Sequence, residues 1–265
     1  DAQSVQDRMP IVASSQVLAF YGKPGAPSMG ILGEYSKEKL APILEGYAKL
    51  YDEANGGLGI MPAFYIIYGT VWPAGEIGYT KASVLEEYIE FAAQRGWIVF
   101  LDHQIGKYGV AAAMDRLLPW LKYPNVHLAL DPEWRTEKPM QEIGSVSARE
   151  LNEAQERMDR YLADNGLPGI RMLVVHQFKP RMITEREQVR VDFDRVVLVH
   201  TADGFGAPAV KRQAYQFNAL AANIPVKGFK LFLESKVPGA GWDIPLMLPK
   251  DVMTLDPVPL VVMYQ

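Results

Sequence analysis

Eight short apolar runs rich in β-branched residues recur along this 265-residue chain, at 16–21, 61–68, 97–102, 126–131, 170–176, 195–200, 226–234 and 259–264. Segments of helical period separate them at 36–53, 80–95, 110–121, 147–165 and 208–223, with a shorter one at 184–189. Runs that are apolar throughout suit strands buried on both faces, and strands joined through helices run parallel. Eight such units over about 250 residues match a (β/α)8 barrel. A doubly wound open sheet is the other architecture with this alternation, but dinucleotide binding there needs a Gly-x-Gly-x-x-Gly turn after the first strand. Gly22-Lys23-Pro24-Gly25-Ala26-Pro27 has neither that spacing nor the Walker spacing, and reads as a rigid turn. The sequence therefore predicts α/β class, a (β/α)8 TIM barrel forming one catalytic domain over 15–265 after a polar stub over 1–14. Ser147-Ala148-Arg149-Glu150 has the capping-box form and Asn165-Gly166 the form of a left-handed helix end, which bounds one helix closely.

Composition narrows the function. Lys plus Arg is 27 and Asp plus Glu 31, a net charge of −4, which gives no electrostatic reason for nucleic acid or anionic lipid. Cysteine is absent, which removes disulfides, thiolate metal sites and a Cys nucleophile. No apolar stretch approaches the roughly 20 residues that span a bilayer. The polar opening Asp1-Ala2-Gln3-Ser4-Val5-Gln6-Asp7-Arg8 has the form of a stub left after a leader is removed, and predicts a secreted or cell-surface monomer. The expected partner is a small or neutral molecule, with no cofactor and no obligate protein partner.

A barrel of this kind places its active site at the C-terminal ends of the strands. Those ends are polar here: Asp102-His103-Gln104, Asp131-Pro132-Glu133, His176-Gln177, His200 with Asp203, and Glu234-Ser235. Three of the four histidines fall among them, and His127, lower in its strand, reads as a core histidine. Residues two apart on a strand share a face, so Asp131 and Glu133 are expected to look into the mouth together. The same alternation puts Lys230, Phe232 and Glu234 on one face of the seventh strand, and a lysine there needs a carboxylate such as Asp131 or Glu234. Tyr21, Tyr35, Tyr68, Trp72, Tyr79, Trp134 and Trp242 fall in loops or strand ends near the mouth, and aromatic faces suit the C–H face of a sugar.

With carboxylates after strands four and seven, the chain resembles (β/α)8 retaining glycosidases. That resemblance implies Glu133 as acid/base and Glu234 as nucleophile, although those enzymes carry Asn before the acid/base and this chain has Pro132. Asp131-x-Glu133 is also similar to chitinase-type and muramidase-type glycosidases, which implies Glu133 as acid and Asp131 as its helper. Cleavage of a glycosidic bond needs one protonated and one ionised carboxyl group, and neighbouring acids push their pKa values apart. The expected function is hydrolysis of an oligo- or polysaccharide by Glu133, Glu234 and Asp131, with Asp102, His103, Gln104, His176, Gln177, His200, Asp203, Lys230, Tyr21, Tyr68, Trp72, Trp134 and Trp242 binding the carbohydrate.

Three other readings compete. Asp102, His103, Asp131, Glu133, His176, His200 and Asp203 are ligand types for a metal-dependent hydrolase or isomerase. Lys230 suits a Schiff-base lyase, although neighbouring acids oppose the low pKa that chemistry needs. A barrel that binds sugar without cleaving it uses the same aromatics. Bland roles are also open: a loop-capping Asp131, Glu234 as partner of Lys230, and aromatics that fill loop cores.

Overall fold

The computed structural model describes residues 14–265, so the stub assigned to 1–14 lies, except for Ser14, outside the described residues. Strands β1 (Gln16–Gly22), β2 (Ile60–Val71), β3 (Ile98–His103), β4 (Val126–Leu130), β5 (Arg171–Gln177), β6 (Val196–Ala202), β7 (Lys227–Leu231) and β8 (Val261–Tyr264) each pair in parallel with the next. β8 pairs back onto β1, with Val17 opposite Val261, which closes the barrel. Helices α1 (Lys37–Ala54), α2 (Ala82–Ala93), α3 (Gly109–Leu117), α4 (Ala148–Asp164) and α5 (Pro208–Ala219) lie between strands where helical period predicts them. The fold is the (β/α)8 barrel that the alternation requires.

The period-2 rule sorts the side chains into two cores. Val17, Ala19, Tyr21, Ala63, Tyr65, Ile67, Phe100, Val174 and Val199 pack inside the barrel. Leu18, Phe20, Phe64, Ile66, Leu128 and Leu130 face outward and pack in the helix layer. Asp102 and His176, in phase with the inner set, therefore point inward near the C-terminal ends of their strands. Gly228 allows a close approach within this interior: a Cβ there would lie 2.2 Å from Thr201 Oγ1.

Two elements differ from the sequence reading. The helix predicted at 184–189 is a two-residue strand, Ile183–Thr184, paired with Val146–Ser147 and flanked by 3-10 turns at Pro180–Met182 and Arg186–Gln188. Side chains from its neighbours satisfy this segment's backbone: Asn223 Nδ2 donates to the carbonyls of Arg186 and Val189, and Gln155 Nε2 to that of Arg190. Strand β7 also ends at Leu231, short of the predicted Glu234. The Phe232 N–H leaves the ladder for Asp243 Oδ2 at 2.9 Å, and beyond that point alternation no longer places side chains.

The capping box on α4 forms as predicted. Glu150 N–H donates to Ser147 Oγ at 3.2 Å, and Ser147 N–H donates back to Glu150 Oε2 at 2.9 Å. Arg135, on the loop after β4, reaches the other oxygen of Glu150 at 3.1 Å, tying the cap to that loop. Ser147→Ala is expected to cost about 1 kcal/mol and to lower Tm by about 2–4 °C in a thermal melt.

Candidate active site

A cavity of about 750 Å³ opens at the C-terminal end of the barrel, and Asp131, Glu133, Asp203, Lys230, Tyr21 and Gln104 are among its lining residues. Asp131 lies one residue beyond β4 and caps a 3-10 turn, Pro132–Trp134, its Oδ1 accepting the Glu133 N–H at 3.2 Å. The turn, rather than strand alternation, therefore positions Glu133. On the other side Gly144 N–H donates to the Glu133 carbonyl at 2.6 Å, which fixes the loop back on itself.

A buried charge network adjoins this pair. Lys230 Nζ lies 3.3 Å from each oxygen of Asp203 and 3.9 Å from the centre of the Tyr21 ring. Its partner is thus Asp203, which the sequence reading did not pair with it, rather than Asp131 or Glu234. His176 Nδ1 lies 3.0 Å from Asp203 Oδ2, and His176 Nε2 lies 2.7 Å from the Tyr65 hydroxyl. Asp102 Oδ2 accepts from the Tyr21 hydroxyl at 3.1 Å and stands 4.0 Å from His176 Nε2. The other Asp102 oxygen is buried without a hydrogen bond among the described residues, an arrangement that favours the neutral carboxyl.

These surroundings give the acids opposite states. Burial would raise Asp203, but Lys230 and His176 outweigh it and hold its carboxyl well below the usual range. Burial would lower His176, but Asp203, Asp102 and Asp131 outweigh it and raise the imidazole pKa. Burial pushes Asp131 well up, against the pull of His176, with Glu133, Asp102 and Asp203 adding to the rise. Glu133 is raised by burial and then by Asp203, with Lys230 and His176 opposing. Asp102 is raised by burial, with His176 and Lys230 opposing. One acid is therefore held ionised beside others that favour the proton.

The remaining candidates separate by parity and by loop. His103 faces outward among Tyr68 and Tyr79, with its Nε2 3.4 Å from the Tyr79 hydroxyl. His200 also turns outward, to Gln177 Oε1 at 2.7 Å and Lys227 Nζ at 3.4 Å. Gln177 in turn donates to the carbonyls of Lys179 and Pro180, so this pair shapes the loop after β5. Gln104 lines the cavity while its Oε1 takes the Val71 N–H. Trp134 lines it, Tyr68 is buried in the outer core, and Trp72 lies exposed in a hairpin turn with Lys23 over its ring. Trp242 is partly buried and outside the lining.

Glu234 is exposed and lines a smaller neighbouring cavity of about 220 Å³ with Glu34, Tyr35 and Lys236. His127 accepts the Met172 N–H at 2.8 Å, as expected of a core histidine, and burial lowers its pKa to about 3. Among the described residues no three His, Asp or Glu side chains converge as a metal site, so the ligand set considered above does not assemble in this arrangement. Sequence reasoning missed Tyr65, which shares the inward face of β2 with Ala63 and Ile67; the period-2 rule contains the signal that finds it.

Fold and mouth together define a (β/α)8 barrel whose architecture is that of known glycoside hydrolases. Its likeness to solved structures covers nearly the whole chain. A family 18 chitinase catalytic domain from the fern Peteris ryukyuensis superposes with a TM-score of 0.53 at 12% identity, covering 94% of this chain and 91% of that one. A family 18 chitinase from Crocus vernus gives 0.52 at 8% identity, covering 94% and 92%. A chitinase from Rhizomucor miehei gives 0.51 at 13%, covering 93% of each. No protein-family profile and no curated protein sequence matches the chain.

Lys230→Met leaves Asp203 buried with only His176 beside it, and is expected to cost about 3–5 kcal/mol in urea unfolding. Adding Asp203→Asn should restore part of that loss; a double variant no more stable than Lys230→Met would show that the pair is not coupled. The contribution of Asp203 is present above about pH 4, its unfolded value, and drains as pH falls through its lowered folded value. The contribution of His176 is present below about pH 6.5 and is lost as pH rises through its raised folded value, so His176→Gln should flatten the alkaline decline of stability in unfolding curves taken across pH.

Proposed function

We propose that this protein is a glycoside hydrolase that cleaves an oligo- or polysaccharide, with Glu133 as the general acid. The observation that carries this reading is the unequal protonation of neighbouring carboxyl groups in one cavity: Glu133 is raised by burial, and Asp203 is held ionised by Lys230 and His176. Glu133 gives its proton to the glycosidic oxygen as the C–O bond breaks, and the charge developing on the sugar ring is met by the ionised carboxylate. Water then adds to the anomeric carbon and returns a proton to Glu133. Asp131, buried and accepting the Glu133 N–H, positions the acid, while burial and the charge of Asp203 favour its protonated form. No step is routed through Glu234, which lines a different cavity. The barrel fold shared with the chitinases supports this reading at the level of architecture.

Glu133→Gln is expected to lower kcat by about 10²–10⁴ on a cleavable oligosaccharide while leaving binding in place. Unchanged turnover would remove Glu133 as the acid. Because the protonated form acts, kcat/KM of the native protein should fall as pH rises through the raised Glu133 pKa. The acid limb, set by protonation of Asp203, should lie below the usual carboxylate range.

A further inference from the structure

The mouth cavity is walled differently from what a purely polysaccharide ligand would need. Of the seven Tyr and Trp side chains that the sequence offers as sugar platforms, two, Tyr21 and Trp134, line it. Much of the remaining wall is Met140, Phe178, Phe205, Val210 and Phe232, which have no hydroxyl or N–H in their side chains. Met140 is 75% exposed, Phe205 55% and Val210 53%, so three large apolar side chains stand in solvent around one cavity.

The apolar wall is built and held. The Phe205 ring packs so closely on Gly241 that a Cβ there would lie 2.0 Å from Phe205 Cε2, and it meets Phe232 edge-on at 6.0 Å. The loops bearing Phe205 and Phe232 are joined by Asp243, which accepts the Gly206 and Phe232 N–H groups and pairs with buried Lys211 at 3.3 Å. Met140 has a left-handed backbone, φ 67°, costly for a side chain with a Cβ, and is largely exposed. Apolar groups exposed beside polar carboxyl groups fit a ligand that is polar at one end and oily at the other.

We propose that the substrate is a glycoside with an apolar aglycone, an alkyl chain, its sugar set against Asp131 and Glu133 and its chain lying along Phe205, Val210 and Met140. The sugar end rests on the glycoside hydrolase reading, and the chain end rests on the wall alone. Cleavage then moves the Glu133 proton to the departing alcohol oxygen, while water supplies the hydroxyl to the anomeric carbon and reprotonates Glu133.

The test uses the Glu133→Gln protein, titrated calorimetrically with methyl, butyl, hexyl and octyl β-glucosides and N-acetyl-β-glucosaminides below micelle-forming concentrations. The expected result is a Kd that tightens with chain length, by about fourfold for each methylene that reaches the wall. Phe205→Ser and, separately, Met140→Gln should each reduce the octyl-over-methyl gain at least threefold. A Kd independent of chain length, or no binding of any octyl glycoside, overturns the proposal. So does self-association abolished by Met140→Gln with no chain-length gain, which would put a second copy of the chain on this rim. Chain-length-dependent binding in Glu133→Gln, with no alcohol released by the native protein, supports the apolar site and removes the hydrolase reading. Cleavage of short oligosaccharides with no chain-length gain does the reverse.

Discussion

The buried contact of Lys230 with Asp203, and of Asp203 with His176, is the constraint on which the mouth of this barrel depends. Each member would be costly alone in that interior, and each is compensated by the next. The consequence reaches beyond stability. Lys230 and His176 hold Asp203 ionised, whereas burial, with the charge of Asp203 added, favours the proton on Asp131 and Glu133, and the division between an ionised acid and a protonated one follows. Tyr65 and Tyr21 complete the arrangement by giving His176 and Asp102 hydrogen-bonding partners where water is excluded.

A second buried pair shapes the walls rather than the chemistry. Lys211 on α5 pairs with Asp243 and donates to the carbonyls of Gly204 and Lys230, so one ammonium ties the loops after β6 and β7. Burial lowers its pKa to about 8, against the opposing pull of Asp243. By taking the Phe232 N–H, Asp243 also ends β7, and Glu234 follows into the neighbouring cavity. The apolar wall and the position of Glu234 thus have a common cause in one carboxylate, 32 positions along the chain from the lysine it pairs with.

The barrel, its strand order and the inward direction of Asp102 and His176 were legible in the sequence, because period-2 alternation and strand–helix succession are local properties that the fold leaves intact. Ser147 with Glu150 was legible for the same reason, as a cap formed within four residues. Asp131 and Glu133, expected at the mouth, both line its cavity, although the 3-10 turn rather than the strand directs Glu133. His103, His200 and Gln177 were misjudged because proximity to a strand end was taken as facing the mouth, whereas their odd phase turns them to the outer layer.

What the sequence determined by itself, then, is the architecture, since it follows from the spacing of residues along individual strands and from the succession of strands and helices. The tertiary structure alone decided which charges meet. Asp203 with Lys230, His176 with Tyr65, and Lys211 with Asp243 join residues on different strands, helices and loops, and no local pattern encodes such a meeting. It is set by how the closed sheet brings separate strand ends around one low-dielectric space, where a few ångströms decide which acid keeps its proton.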